Sequence, residues 1–419
     1  MILIKNSYVV EKEGFYDILI KDNIIKKIDK KIECNNCYTI EAKNHLVVPA
    51  FCNAHTHLAM SLFRGLADDL NLMSWLNDYI FPNEAKYVNK DMVYKCSKLS
   101  MLEMIRGGTG CFMDMYFFEE EVARAAHEIG MRGVIGEGIV DFESPSCRNA
   151  DEAISKTKSL KEEFESDMLK VSFAPHSTYT LSNKSLKKIA DAANQSIIVQ
   201  VHASETKDEV DIVLKDKGKT PIEVLRDVGL LHNNTYLAHC VEINGNDMNL
   251  IKQAGSSVVI NPQSNMKLGN GIVPFVDMAK HGINILIGTD GSASNNSLDI
   301  VQELKAASLA NKVLARKADV ANAKEMFKIG TNSRTLFGNT GNIEEGYKAD
   351  LSLISADSLN AVPMYNPYSH ILYSLNSKDV DTVIINGKVI MEHNEFKGID
   401  EDRVKYDVRN LAKDLGAIF

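Results

Sequence analysis

The chain predicts an α/β protein: a (β/α)8 barrel of the TIM type, with a small composite β-sandwich domain built from both chain ends. Three observations predict it. Between about 48 and 347, short apolar β-rich runs alternate with helical stretches of about 20 to 40 residues, and eight such runs occur. Both ends are strand-rich instead, and neither is long enough to hold a stable sheet alone. The 419 residues also exceed what one hydrophobic core ordinarily serves, so a large domain with a smaller one is the natural division.

Taken in order, Tyr8-Val9-Val10, Asp17-Ile18-Leu19-Ile20 and Ile24-Ile25-Lys26-Lys27-Ile28 are β-rich, with Lys21-Asp22-Asn23 as a hairpin turn. The first four barrel strands are expected at Leu46-Val47-Val48, Gly110-Cys111-Phe112-Met113, Gly133-Val134-Ile135-Gly136 and Leu169-Lys170-Val171-Ser172-Phe173. The other four are Ile197-Ile198-Val199-Gln200-Val201, Thr235-Tyr236-Leu237-Ala238, Ser257-Val258-Val259-Ile260 and Ile283-Asn284-Ile285-Leu286-Ile287. Asp350-Leu351-Ser352-Leu353-Ile354 then alternates, and Asn386-Gly387 divides two further strands, as hairpin turns with positive φ require. Val404, Val408, Leu411 and Leu415 recur at helical spacing and predict a terminal amphipathic helix. The expected domains are 1–47 with 348–419 for the composite sandwich and 48–347 for the barrel.

Composition narrows the function. Lys and Arg number 47 against 56 Asp and Glu, a net charge of -9, and no basic cluster is present to hold nucleic acid. No apolar run approaches the roughly 20 residues that span a bilayer, so no membrane partner is expected. Met1-Ile2-Leu3-Ile4-Lys5 lacks the apolar region of a signal peptide, and seven scattered Cys suit a reducing, cytoplasmic setting. Cys34 and Cys37 are spaced C-x2-C, but no second pair completes a zinc ribbon, so an ordinary surface loop is expected.

Chemistry in such a barrel sits where strands end and the following loops begin. The first strand leads to Asn53-Ala54-His55-Thr56-His57, whose two His share one side of an extended chain. The fourth leads to Pro175-His176-Ser177, the fifth to His202-Ala203-Ser204-Glu205, the sixth to His239 and the eighth to Asp290. Singly, each is commonplace; a lone Asp after a strand is usually a turn or cap. Together, five of the eleven His fall at strand ends with Glu205 and Asp290, and that points to a metal site. Three imidazoles and a carboxylate suit one divalent metal, Zn²⁺ first, with Fe²⁺ or Mn²⁺ compatible. Such a site lowers the pKa of water to roughly 7. Glu205, close after a ligand, can stand beside that water and pass its proton on. A second metal would need a carboxylated Lys at the end of the fourth strand, where Pro175-His176 stands; Lys170 is at the other end.

These motifs resemble the amidohydrolase superfamily, and within it the 5-methylthioadenosine/S-adenosylhomocysteine deaminases, over essentially the whole chain. Asn53 to Met60, Phe63 to Asp69, Trp75-Leu76, Asp114 to Phe117 and Ala174 to Ser177 carry the likeness. So do Ala238 to Val241, Asn261 to Gly269 and Gly288 to Gly291. The resemblance implies His55, His57, His202 and Asp290 as metal ligands and Glu205 as the proton shuttle to the purine N1. It implies that His239 orients the attacking water, with Asp290 as a second proton acceptor. The implied reaction is metal-dependent hydrolytic deamination at C6 of adenine in 5′-methylthioadenosine, S-adenosylhomocysteine, 5′-deoxyadenosine or adenosine. Among substrate contacts it implies Glu84 on the ribose diol, His176 on the base, Arg148 on a mobile loop and Trp75 at the 5′ side. Members are often homo-oligomers.

Two positions depart from the pattern. Glu137 stands where some relatives carry an Arg for the amino-acid carboxylate of S-adenosylhomocysteine, and Glu242 replaces a usual His. A carboxylate at 137 that faced the substrate would repel that group, so neutral 5′ groups are expected to be favoured. Zinc aminohydrolases for guanine, a pterin or a triazine share the metal motifs and stay open as alternatives; a ring without ribose would give Glu84 nothing to hold. A non-catalytic scaffold would be expected to have lost ligands, and this chain keeps them.

Overall fold

The computed structural model describes residues 1–418. Eight parallel strands make the barrel: Phe51–Thr56, Thr109–Asp114, Arg132–Ile135, Leu169–Pro175, Ile198–Ala203, Thr235–His239, Ser257–Ile260 and Asn284–Ile287. A two-residue strand, Gly138–Ile139, continues the third position alongside Ala174 and Pro175. Helices cover the outside, so both faces of the strands are buried, and Phe51–Thr56 and Thr109–Asp114 are buried throughout. The eighth strand meets the first at its C-terminal end. There the Asp290 amide donates to the His55 carbonyl at 3.0 Å, and the Asn53 side chain bonds both the amide and the hydroxyl of Thr289.

The two chain ends build one continuous nine-stranded sheet. It forks at Ile2–Val9, which pairs with Gly14–Lys21 on one side and with both Tyr38–Glu41 and His45–Pro49 on the other. Its own core includes Ile4, Ile18, Ile25, Ile40, Leu351, Leu353 and Ile384. Leu46-Val47-Val48 belongs here and not to the barrel, because His45–Pro49 pairs antiparallel with Leu351–Ser355. Only Ala50 separates that strand from the first barrel strand, so the two apolar patterns merge in the sequence. The terminal helix, Glu401–Ala412, buries Val404 and Val408 as expected and is tied to helix Lys90–Arg106 by Arg106 and Glu401 at 2.5 Å. Cys34 and Cys37, expected to be unpaired in a loop, are joined in a disulfide, and the other five Cys are free and buried. No helix among the described residues is long and apolar enough to cross a membrane.

The sheet and the barrel floor meet at a buried charge pair. Arg132, fully buried at the start of the third barrel strand, donates from Nε and Nη2 to the two Asp350 oxygens at 3.0 and 3.3 Å. It also donates to the Asp167 carbonyl at 2.6 Å and to Asn386 Oδ1 at 3.3 Å. Asp350 in turn accepts from the Asn386 amide at 2.6 Å. Asn386 and Gly387 both have positive φ, 51° and 71°, the geometry of a tight hairpin turn. A Cβ on Gly387 would run into the Asp22 carbonyl oxygen of the N-terminal hairpin turn, so both ends of the chain close on this point. Arg132→Ala would leave Asp350 buried without its partner, and about 3–5 kcal/mol of stability should be lost. Replacing both residues with apolar ones of similar size should recover most of it. Chemical denaturation of the single and double variants checks this.

Candidate active site

His55, His57, His202, His239, Glu205 and Asp290 converge at the C-terminal mouth of the barrel, each delivered by a strand end. The His55 ring centroid lies 5.0 Å from those of His57 and His202 and 5.5 Å from that of His239. Several carriers leave the strand in a left-handed conformation that non-glycine residues rarely adopt: Ser204 at φ 52°, His239 at 75° and Asp290 at 60°. This backbone strain turns side chains at the strand ends inward.

The imidazoles are oriented from behind. His57 Nδ1 meets the Met115 carbonyl, His202 Nδ1 the His176 carbonyl at 2.8 Å, and His239 Nδ1 the Asn265 side-chain oxygen at 2.8 Å. With Nδ1–H engaged in this way, each ring is held with Nε2 facing the centre, where a neutral ring offers a lone pair. Asp290 is handled similarly: the Ser264 and Ser294 hydroxyls donate to Oδ2 at 2.6 and 2.9 Å. Its Oδ1 is thereby left facing His57 Nε2 at 3.1 Å and His55 Nε2 at 3.5 Å.

Burial sets the charge states. It pushes His55 and His176 down to about 4 and His202 well below its ordinary value, so these rings are neutral, the form that ligates metals. For His57, burial alone would lower the pKa, but the hydrogen bond and charge of Asp290 outweigh it and raise it to about 9. Asp290 is opposed by burial and yet held well below the carboxylate range by the His55 and His57 rings that face it. Burial raises Glu205, whose Oε1 accepts from Asn270 at 2.9 Å and whose Oε2 lies 3.6 Å from His239 Nε2.

The donor set fits a metal. Ligand atoms of His55, His57 and Asp290 lie within 4.8 Å of one another, as do those of His55, His202 and His239. His55 Nε2 is buried with no hydrogen-bond partner among the described residues, an arrangement costing about 1–3 kcal/mol unless a cation satisfies it. Lys170 sits at the far end of the fourth strand from this cluster.

A cavity of about 620 Å³ opens above the cluster. His176, Glu84 and Trp75 line it as expected. Glu84 is 6% exposed, accepts from the Tyr116 hydroxyl at 2.7 Å and forms no ion pair among the described residues. Burial raises its pKa to about 7. Leu72, Leu76, Ile80, Phe81 and Phe142 complete an apolar wall, with the Phe81 and Phe142 rings edge to face at 6.4 Å.

Arg148 is not brought to the cavity. It follows the loop that lines it, but its side chain is 82% exposed and pairs with Glu152 at 3.0 Å, one helical turn on. Glu137 does not face the cavity either, and the repulsion expected of it is absent. Fully buried, its carboxylate receives the amides of Phe118 and Glu119, the Ser146 hydroxyl and Lys156 Nζ at 3.1 Å. Glu242 is exposed, and only its backbone is engaged, donating to the Ser204 carbonyl at 2.8 Å.

Sequence reasoning assigned no role to Tyr116, Asn265, Ser264, Ser294 or Asn270, each of which holds a site residue. Tyr116 and the 261–269 segment lie within the motifs that carry the family resemblance, yet nothing in their spacing says which side chain they meet.

A model of the amidohydrolase family matches residues 46–390. The chain is 39% identical over 428 residues to a 5-methylthioadenosine/S-adenosylhomocysteine deaminase of Clostridium tetani, covering 99% of both. It is equally 39% identical to a 5′-deoxyadenosine deaminase of Methanosphaera stadtmanae, again covering 99% of both. Among solved structures, a zinc-bound adenosine deaminase from Xanthomonas campestris superposes with a TM-score of 0.96 at 29% identity, covering 99% of this chain and 98% of that one.

Because Ser264 orients Asp290 without touching the cluster's centre, Ser264→Ala should weaken zinc affinity by about 10-fold to 100-fold, while His55→Ala should remove stoichiometric binding. Competition with a chromogenic zinc chelator measures both.

Proposed function

The chain belongs to the amidohydrolase family, and on that premise we propose that it is a zinc-dependent deaminase of adenosine derivatives. It would hydrolyse the adenine 6-amino group of 5′-methylthioadenosine, 5′-deoxyadenosine, adenosine or, less well, S-adenosylhomocysteine, giving the inosine analogue and ammonia. The observation that carries this reading is Glu84. A buried carboxylate without a cation, beside the His cluster and in the same cavity, calls for hydroxyl donors, and a ribose diol supplies two.

His55, His57, His202 and Asp290 would hold the zinc, which supplies the Lewis acidity that makes water nucleophilic near neutral pH. Glu205 takes the proton from the attacking water and returns it to purine N1 as electrons move into the ring. Burial raises its pKa, the direction that makes it a better acceptor for the water's proton. His239, with Nδ1 engaged by Asn265, presents Nε2 to orient the water, and Asp290 accepts the second proton. As the tetrahedral carbon collapses, that proton passes from Asp290 to the 6-amino nitrogen, the C–N bond breaks and ammonia leaves. His176 meets the base.

A preference for neutral 5′ groups follows from the cavity lining. The Asp and Glu residues on it are Glu84, Glu143, Glu205 and Asp290, with no Lys or Arg to receive an amino-acid carboxylate. Trp75, Leu76, Phe81 and Phe142 offer apolar surface instead.

Ammonia release from zinc-loaded protein tests the reaction, using adenosine, 5′-methylthioadenosine, 5′-deoxyadenosine, S-adenosylhomocysteine, guanine and cytosine. Turnover is expected on the adenosines, fastest with neutral 5′ groups; silence on every nucleoside would sink the substrate assignment. Glu205→Gln should lower kcat by about 10²- to 10⁴-fold with zinc still bound. If the diol requires ionised Glu84, KM should rise as pH falls through about 7, by about fivefold over the first unit below it and about tenfold per unit after that. Glu84→Gln should flatten that part of the KM profile.

A further inference from the structure

The wall that carries Glu84 is a helix with a defect. Residues 72–87 run as one continuous helix, but Trp75–Ile80 has the wide π-helical turn, and the Phe81 amide bonds the Leu76 carbonyl, five residues back. A π-turn fits one extra residue into the helix and rotates everything beyond it. At about 100° per residue, an unbroken α-helix would bring Asn83 to within about 20° of Leu72 and leave Glu84 about 120° away. The observed cavity face runs Leu72, Leu76, Ile80 and Glu84. The wide turn puts Glu84 where regular geometry would put Asn83.

The next two residues account for the defect. Pro82 has no amide hydrogen for the Asp78 carbonyl, and its ring would clash with that carbonyl in a regular α-turn. Asn83 then donates from its side chain to the Tyr79 carbonyl at 2.7 Å, satisfying an acceptor at the junction. Pro82 is exposed and does not line the cavity, so packing there does not explain it.

We propose that Pro82, supported by Asn83, is a positioning residue that fixes the wide turn and thereby aims Glu84 into the site, making the enzyme selective for the ribose diol. The selectivity rests on the nucleoside reading above; the register claim does not. In a crystal structure of Pro82→Ala, the Phe81 amide should turn to the Asn77 carbonyl, and Glu84 should leave Tyr116. Kinetically, Pro82→Ala should lose about tenfold or more in kcat/KM for adenosine, through KM, with 2′,3′-dideoxyadenosine unchanged within about twofold. Asn83→Ala should act in the same direction, and Pro82→Ala with Glu84→Ala should be no worse than Glu84→Ala alone. An intact bond between Glu84 and Tyr116 in the Pro82→Ala structure overturns the register claim. Equal losses on both nucleosides, or loss of bound zinc, mark a merely structural role and overturn the selectivity claim. Should the unaltered enzyme turn over neither nucleoside, the substrate assignment falls, and the crystal structure still decides the register.

Discussion

Desolvation is the constraint around which this molecule is arranged. His55, His202 and His239 are buried with Glu205 and Asp290 at one end of the barrel, where water cannot compensate their polar atoms. Such a concentration is tolerable only if every donor and acceptor has a place to go. The backs of the rings are therefore met by carbonyls of Met115 and His176 and by Asn265, and the outer oxygen of Asp290 by two serine hydroxyls. What remains unsatisfied points to one spot, His55 Nε2 most plainly. Reactivity and structural cost have the same origin here: the low-dielectric surroundings that keep His55 and His202 neutral also raise the pKa of Glu205.

The sequence made the barrel and the metal cluster legible because both depend on short-range patterns. An apolar run is recognisable within its own few residues, and a His at its end needs only the fold class to be placed. The first strand was misplaced where that locality failed, since His45–Pro49 and Phe51–Thr56 are adjacent in sequence and belong to different sheets. Pairing partners hundreds of residues away decided the matter, and no local signal announces them. The Cys34–Cys37 bond escaped for a different reason: spacing alone does not distinguish a closed turn from an open one.

Glu137 shows the same limit at the scale of one side chain. Its position in the chain matched a substrate contact, but the carboxylate turns away from the cavity, to two backbone amides, the Ser146 hydroxyl and Lys156. A charge already neutralised and fully buried exerts little force on a ligand. The preference proposed for neutral 5′ groups rests instead on the cavity lining, which contains carboxylates and aromatic surface but no Lys or Arg. Alignment of motifs located the residue; only the fold says what its charge is for.

The junction beneath the barrel bears on how the chain is made. Arg132 and Asp350 are 218 residues apart, and Asn386, which completes the contact, comes later still. A ribosome adding about 5–20 residues per second would leave the guanidinium waiting about 10–40 s for its partner. Throughout that interval the barrel floor has a buried position with an unmatched cation, and the N-terminal strands lack the neighbours that complete their sheet. The nascent chain must therefore be held open or only partly condensed until the segment carrying Asp350 and Asn386 emerges. The arrival of Asp350 and Asn386, more than any early strand, becomes the moment at which this molecule commits to its shape.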